Sequence, residues 1–294
     1  MNRLFALIAL ICLLGCKPAA QTKFAVNRDA NSLLWQVSGN GLKKPSFLFG
    51  TFHLLCKDDI HFSNQLLSAL KASDEVYMEL KLDDPAVLIG GLIFMKMRND
   101  TTLKDLYSTQ DYNRINHYFD DTLNIPLKVM GSLKPYFLVA MLYPKMMNCS
   151  SPSGVEEELM AIAKNQKKEI KGLETIQFQS SVFDSIPYQW QAKELLKNID
   201  SFYSYKKDFQ KMLLQYKQQK LDSLSKMTDT DSEGLGNYTE LLVNGRNRNW
   251  VSILKDTMKI KSVFVAVGAG HLGGEAGVIS LLKKEGYTVE PLRN

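Results

Sequence analysis

Two short apolar segments end in the same motif, Gly-x-x-His, and they lie near opposite ends of the chain. The first segment leads into Gly50 and His53, and the second leads into Gly268 and His271. Short apolar runs that stop at a glycine are typical of buried strands. If the two strands are close in one sheet, both imidazoles reach one pocket at its carboxyl edge, where α/β proteins place ligands. The pattern therefore predicts one sheet built from both ends of the chain.

The rest of the sequence predicts an α/β fold, in which a central mixed sheet of N- and C-terminal strands packs against a mostly helical middle segment. Glycine and asparagine at 39–41 supply turn conformations and predict a hairpin between the first two strands. The predicted strands are 32–38, 46–49, 75–82, 169–173, 262–267 and 287–291. The predicted helices are 63–72, 86–97, 110–119, 135–147, 155–165, 188–198, 202–225, 239–255 and 275–285, with a loop at 228–236.

The N-terminus reads as a targeting segment. After Arg3 comes an apolar run at 4–14, which is too short to span a bilayer but suits a signal-peptide core. It ends in Leu-Leu-Gly-Cys, which resembles a bacterial lipobox, with Cys16 as the acylated (palmitate-bearing) residue. We expect a lipoprotein signal peptide at 1–15, a tether at 16–31 and one domain at 32–294, anchored by lipid in the bacterial cell envelope. The alternative is a simple secretory signal with an incidental cysteine.

Charge and cysteine content bear on nucleic-acid binding and on disulfide formation. The 36 Lys and Arg residues exceed the 31 Asp and Glu residues by a formal +5, but they are scattered and form no tract that would bind nucleic acid. Once the N-terminal segment is set aside, Cys56 and Cys149 remain. Two cysteines in an oxidising compartment favour one disulfide. The alternative is two thiols, one of them a metal ligand.

A carboxylate could complete a site around the two motif histidines. Glu79 lies within the predicted strand 75–82, where it must face away from the core or find a partner. Two imidazoles and a carboxylate are a common ligand set for a divalent metal. A lone histidine is usually structural, and Glu79 could simply face solvent. However, two of the four histidines share the strand-end context, whereas His61 and His117 read as surface residues.

One further pattern misleads. Residues 268–273 fit the dinucleotide motif G-x-G-x-x-G, but the chain ends soon after Glu290, which leaves no room for a second βαβ unit. The sequence also lacks G-x-S-x-G, H-E-x-x-H, Walker A and C-x-x-C motifs. Their absence disfavours a serine hydrolase of the usual fold, a zincin, an NTPase and a thiol oxidoreductase.

Several blocks of sequence, in order and at suitable distances, resemble the TraB/GumN family, which is related to the Tiki proteases that cleave Wnt proteins. The likeness covers about residues 32–292. The blocks are 34–37, 47–53, 172–175 with Gln179, Arg246 and Asn247 before Trp250, and 267–274.

The resemblance implies a fold like that of the erythromycin esterases and the haem-binding ChaN proteins. It also implies a metal-dependent hydrolase, of the peptidase kind, acting on a peptide or small molecule. The alternative is a non-catalytic surface lipoprotein that binds haem, a metal or a peptide. The implied site comprises His53, His271 and Glu79 as catalytic and metal-binding residues, Gly50, Gly268 and Gly270 as turn-shaping residues, and Glu174 and Arg246 beside the substrate.

One position departs from the family. After Gly154 and Val155 the family tends to have Asp, whereas this chain has Glu156. The longer side chain moves the carboxylate by about one methylene, which argues against a metal-ligand role for Glu156. Glu174 and Arg246 also have plainer interpretations, as a charge at a helix N-terminus and a member of a surface ion pair.

Overall fold

The computed structural model describes residues 24–27, 31–230 and 235–294. The predicted signal peptide, Cys16 and most of the predicted tether lie outside the described residues. The strands are β1 Leu34–Ser38, β2 Ser46–Thr51, β3 Leu55–Cys56, β4 Glu75–Met78, β5 Pro152–Ser153, β6 Glu169–Gly172, β7 Val263–Gly268 and β8 Thr288–Pro291. The α-helices are α1 Asn64–Ala72, α2 Pro85–Phe94, α3 Leu103–Leu106, α4 Thr109–His117, α5 Pro135–Ala140, α6 Tyr143–Met146, α7 Val155–Asn165, α8 Ile176–Asp184, α9 Tyr188–Asp200, α10 Phe202–Lys217, α11 Leu221–Thr230, α12 Gly245–Ile260 and α13 Val278–Lys284.

Six strands form one mixed sheet in the order β6-β4-β7-β2-β1-β8. The first four of these run parallel, and β1 and β8 pair antiparallel at the other side. Strands from both ends of the chain are therefore neighbours, which confirms the predicted α/β class and its central mixed sheet. All six residues of β2 are buried, as expected for a strand covered on both faces.

The turn between β1 and β2 shows why these residues form a hairpin. Gly39, Asn40 and Gly41 all have positive φ, between 45° and 79°. Glycine and asparagine adopt this left-handed region at low cost, and the resulting turn matches the twist of the strands. The side-chain amide of Asn40 also donates a hydrogen bond of 2.9 Å to the carbonyl of Glu285. The predicted hairpin is confirmed.

Apolar side chains on both faces of the sheet form the main core. Phe47 of β2 and Phe264 of β7 are fully buried, and Trp250 and Leu254 of α12 are buried in the same core. The helical middle has a second core of its own, in which Phe119 is fully buried among residues of α5 and α9. The two cores place the carboxyl edge of the parallel strands next to the helical middle.

The structure departs from the predicted elements in several places. The predicted helix 135–147 divides into α5 and α6, and the short elements α3, β3 and β5 were not predicted. The predicted helix 202–225 divides into α10 and α11, because Gln219 adopts a left-handed φ of 56°. Helix α11 then continues to Thr230, into the predicted loop 228–236. Helix α8 was not predicted at all. Its N-cap Thr175 accepts a hydrogen bond from the backbone N–H of Phe178, which satisfies a donor of the first turn.

Cys56 and Cys149 form a disulfide, as predicted. Cys56 lies in β3, which pairs antiparallel with the two-residue strand β5. The bond thus joins the segment just after His53 to the helical middle, at a point between α6 and β5. Among the described helices, none combines the length and the apolar composition needed to cross a bilayer.

Candidate functional site

The two Gly-x-x-His motifs lie side by side. Strands β2 and β7 are parallel neighbours, and Thr51 pairs in register with Gly268 at their carboxyl ends. Both strands end at the same edge of the sheet, and His53 and His271 therefore line one cavity of about 460 Å³. Glu79, one residue beyond the end of β4, lines the same cavity. The structure therefore brings together the three residues that the sequence singled out.

The motif glycines permit close packing, and neither Gly50 nor Gly268 has a positive φ. A Cβ atom on Gly50 would lie 3.1 Å from the backbone of Ala269. A Cβ atom on Gly268 would lie 3.3 Å from Oε1 of Glu79. The predicted shaping role is thus one of close approach between the two strand ends, and not of a left-handed turn. Gly270 lines the cavity itself.

His271 is buried, with one ring nitrogen fixed by Asn247. The Asn247 amide donates to the carbonyls of His271 and Ala276, at 3.2 and 2.9 Å, so its Oδ1 must face Nδ1 of His271 at 2.7 Å. Because Oδ1 only accepts, Nδ1 carries the proton and Nε2 holds the lone pair. Burial lowers the pKa of His271 to about 4, despite the nearby carboxylate of Glu79. The ring is therefore neutral at pH 7.

His53 has the opposite environment. Its Nδ1 lies 2.8 Å from Oε1 of Glu156, which also accepts a 2.7 Å hydrogen bond from the hydroxyl of Thr51. The hydrogen bond to Glu156 raises the pKa of His53 to about 9, and desolvation by the surrounding protein opposes that rise only in part. The side chain is 80% exposed at the mouth of the cavity. His53 is thus an imidazolium at pH 7.

Glu156 therefore belongs to the site, although the sequence argued against a metal-ligand role for it. Its side chain is 14% exposed, and its carboxylate contacts the ring of His53, which is itself a predicted metal ligand. Glu156 lies in the first turn of α7. Burial would raise the pKa of Glu156, but the hydrogen bonds from His53 and Thr51 outweigh it and hold the pKa low.

Glu79 is held as a carboxylate by three donors. Its Oε1 accepts from the backbone N–H of Gly268 at 3.0 Å, and its Oε2 accepts from Gln179 at 3.1 Å and from Arg246 at 2.7 Å. Burial opposes ionisation, but the positive charge that His271 acquires below its pKa of about 4 and the permanent charge of Arg246 outweigh it and lower the pKa of Glu79 to about 2. Oε1 lies 3.9 Å from Nε2 of His271.

Arg246 links this carboxylate to a second one. Its guanidinium contacts both carboxylate oxygens of Glu174, at 2.8–3.1 Å. The guanidinium carbon also lies 4.9 Å from the ring centre of Trp250. The side chains of Arg246 and Glu174 are 9% and 3% exposed. They therefore form a buried ion pair, and the plainer interpretation of Arg246 as a surface residue is wrong. Nη1 of Arg246 lies 3.3 Å from Nε2 of His271.

The other two histidines are exposed, as predicted. His61 is solvent exposed, and His117 is 84% exposed and contacts Asp121 on its own helix turn. Sequence reasoning gave no role to Thr51, and it noted Asn247 and Gln179 only as family positions. Asn247 directly follows Arg246 in sequence, and the family block that contains both residues was the available signal.

The donor set fits a divalent metal in its chemistry. An oxygen acceptor holds Nδ1–H of each histidine, which is how proteins orient metal-binding imidazoles and direct Nε2 to the metal. In the described part of the chain, however, no three His, Cys, Asp or Glu side chains are close enough to form a ready metal centre. Instead, Arg246 supplies the positive charge between Glu79 and His271. Metal uptake would therefore require Glu79 to exchange Arg246 for the ion.

Comparison with known proteins agrees with this architecture. The model of the TraB/PrgY/gumN family matches residues 33–291. The chain therefore belongs to the TraB/PrgY/gumN family. A metalloprotease TIKI homolog from Amphimedon queenslandica is 23% identical over 354 aligned residues, which cover 98% of this chain and 67% of that protein. No solved structure matches the chain significantly. The distant likeness to a metalloprotease is consistent with a hydrolase.

Proposed function

We propose that this protein is a metal-dependent hydrolase that acts on peptides, with His53, His271 and Glu79 as the metal ligands. The observation that carries the proposal is the convergence of both Gly-x-x-His motifs and Glu79 on one cavity. The likeness to a metalloprotease homolog supports the same reaction class. A divalent metal held by these donors would supply Lewis-acid polarisation of the carbonyl that is attacked.

The surrounding residues prepare these donors. Asn247 keeps the proton of His271 on Nδ1, so that Nε2 is free at any pH above about 4. Glu156 does the same for His53, but His53 must lose its second proton before it can bind a metal. A pKa of about 2 makes Glu79 a weak general base at neutral pH, which favours a ligand role for this carboxylate.

The far side of the cavity suits an organic substrate. Tyr136 and Phe183 stack there with ring centres 4.4 Å apart, and Phe209 stacks on Tyr143 at 5.1 Å. Such walls bury apolar groups and exclude water from the polar edge of the sheet. A substrate held by this wall would present its scissile bond to His53 and His271.

Metal binding and peptide hydrolysis should be measured on the same preparations. Calorimetric titration with Zn²⁺, Mn²⁺ and Co²⁺ should show stoichiometric binding of one of them, tighter near pH 9 than near pH 7 because His53 then loses its proton. His271→Ala and Glu79→Gln should lose both the metal and hydrolysis of a peptide library. The matched control is His117→Ala, because His117 is exposed and far from the cavity lining.

The same experiment separates this proposal from its alternative. A wild-type protein with neither metal nor hydrolysis would contradict the enzyme. A Soret band after haem addition that disappears in His271→Ala would instead support a haem-binding protein. Unchanged activity in His271→Ala would remove this residue from the mechanism.

We also propose that the protein is anchored by lipid on Cys16 in the bacterial cell envelope. The apolar run at 4–14 and the lipobox-like sequence support this, and the Cys56–Cys149 disulfide is consistent with an oxidising compartment. Metabolic labelling with a palmitate analogue should label the full-length protein and not Cys16→Ser. Equal labelling of both would refute the anchor.

A further inference from the structure

The cavity that holds the two histidines has two sides of different chemistry. One side is the polar edge of the sheet, where His53, Glu79, Arg246 and His271 lie. The other, which we call the helical side, consists of residues from α5, α6, α8 and α10, namely Tyr136, Phe137, Ala140, Tyr143, Phe183 and Phe209. Both sides enclose one volume of about 460 Å³. A substrate whose scissile bond lies at the histidines therefore presents its neighbouring groups to the helical side.

The rings of the helical side form two contacting groups. Tyr136 stacks on Phe183 with an interplanar angle of 24°, and the edge of Phe137 meets Phe183 with ring centres 5.1 Å apart. Phe209 and Tyr143 form the second group, at an interplanar angle of 4°. Aromatic rings offer both faces and edges to a further ring, and a buried aromatic side chain contributes a large apolar contact area. The helical side thus suits a large apolar group.

Charge in the cavity is confined to the sheet edge. Among the described lining residues, the only acidic or basic side chains, apart from the phenols, are those of His53, Glu79, Arg246 and His271. Glu79 already contacts Arg246 at 2.7 Å, and the imidazolium of His53 already contacts Glu156 at 2.8 Å. A charged substrate group placed against the rings would lose water and gain no opposite charge, which is unfavourable.

Ala140 is the smallest residue of the helical side. It is the last residue of α5 and is exposed, and it lies one helical turn after Tyr136 on the same face of that helix. Because Ala140 lines the cavity, a larger side chain at this position would project into the space beside the rings. Its methyl group therefore limits how large a substrate group the helical side can accept.

We propose that the helical side is a substrate subsite for a large apolar side chain, aromatic by preference, on a peptide residue next to the bond that is cleaved. Ala140 is the residue that sets the size of the subsite. The proposal rests on the peptidase function proposed above, and it adds the substrate class and a specificity-determining position.

A matched peptide series tests the subsite. The bond that the metal-loaded full-length protein cleaves in a peptide library is located by mass spectrometry, and the residue on each side of it is then varied among Phe, Leu, Ala, Lys and Asp. At one of the two positions, kcat/KM for Phe should exceed that for Ala about tenfold or more, with Leu between them. Lys and Asp should be the poorest residues at that position, because neither finds an opposite charge there.

The substitution Ala140→Trp locates the preference. The indole would occupy the subsite, so the ratio of kcat/KM for Phe over Ala should fall to about threefold or less, while the Ala peptide is cleaved as well as by wild type. Retained cleavage of the Ala peptide also shows that the variant is folded. The matched control is Ala72→Trp, because Ala72 is likewise an exposed last residue of a helix, α1, but does not line the cavity. That control should keep the wild-type preference.

Failure of the subsite and failure of the enzyme give different results. Hydrolysis without a preference for Phe or Leu at either position, or loss of all peptides alike in Ala140→Trp, overturns the subsite alone. Absence of hydrolysis of every peptide by wild type contradicts the proposed function. In that case, fluorescence anisotropy with labelled Phe and Ala peptides still decides: tighter binding of the Phe peptide that is lost in Ala140→Trp supports the subsite, and equal binding overturns it.

Discussion

The substitution Arg246→Met tests how the buried charges of the site are held. Methionine keeps the apolar stem that packs near Trp250 but leaves the carboxylates of Glu79 and Glu174 without their shared cation. Because Glu79 is 14% exposed and Glu174 only 3%, water cannot fully replace the guanidinium. The two carboxylates would then repel each other in a medium of low polarity.

The pKa of Glu79 gives the size of the effect. A pKa of about 2, against an ordinary 4.5, corresponds to about 3 kcal/mol of stabilisation by the ionised carboxylate at neutral pH. Arg246 supplies part of this, and it also compensates Glu174. Breaking a buried pair by removing one partner typically costs about 3–5 kcal/mol, and we expect a loss in this range for Arg246→Met.

The sign of the pH dependence follows from the lowered pKa. The contribution of Glu79 is present above its ordinary pKa of 4.5 and disappears as the pH falls towards about 2. Wild type should therefore lose stability over this range, whereas Arg246→Met has already lost the contribution at neutral pH. The difference between the two proteins should be largest at neutral pH and should narrow below 4.5.

Urea denaturation followed by circular dichroism, at about pH 7 and about pH 3, measures both quantities. The control is Arg248→Met, two residues along the same helix, because Arg248 is 53% exposed and its ion-pair partner Glu240 is exposed as well. That change should leave the free energy of unfolding almost unchanged. Equal losses from both substitutions at neutral pH, or a difference that does not narrow in acid, would refute the reasoning.

Three further predictions concern the supports of the site. In Glu156→Gln, the neutral amide no longer favours the imidazolium, so NMR titration should show the pKa of His53 falling from about 9 towards 6.5; an unchanged value would mean that another group holds the proton. Asn247→Ala leaves Nδ1–H of the buried His271 without an acceptor, and calorimetry should show metal affinity about 10–100-fold weaker. Replacing both cysteines of the disulfide by serine opens a loop with a sequence separation of 93. Urea denaturation should then show that the free energy of unfolding falls by about 2–5 kcal/mol. An unchanged free energy would contradict the view that the disulfide stabilises the fold by constraining the unfolded chain.

Local patterns were sufficient to predict the frame of the fold. Each of these patterns spans only a few residues. The Gly-Asn-Gly turn and the two strand-end motifs have a steric cause, and the apolar runs of β2 and β7 have a hydrophobic one. The shared motif predicted that β2 and β7 belong to one sheet, and the structure shows that they are direct neighbours. The antiparallel addition of β8 beside β1 depends on tertiary contacts, and the sequence indicated only that β8 joins the sheet.

Buried polar contacts were what the sequence could not predict. Helix α8 was missed because its inward side includes Ser180, whose hydroxyl and carbonyl accept hydrogen bonds from the ammonium of Lys134. Lys134 is almost fully buried and also contacts Asp184 at 3.0 Å. Lysine side chains are normally solvent exposed, so the sequence offered no reason to place Lys134 in the interior. Only the three-dimensional arrangement shows that these partners converge, and the same holds for Glu156 beside His53.

The histidines of the two equivalent motifs lie in different environments, and this difference bears on how the site works. His271 is buried, neutral and fixed by Asn247, whereas His53 is exposed, protonated and paired with Glu156. If the protein binds a metal as proposed, the ion approaching from solvent would meet the positive charge of His53 first and would enter only as that proton leaves. Entry would then depend on the pH at the mouth of the cavity, while the protonation of the buried His271 would stay unchanged. The parallel strands β2 and β7 place the two motifs side by side. The two histidines differ because Glu156 of α7 contacts His53, whereas Asn247 of α12 contacts His271.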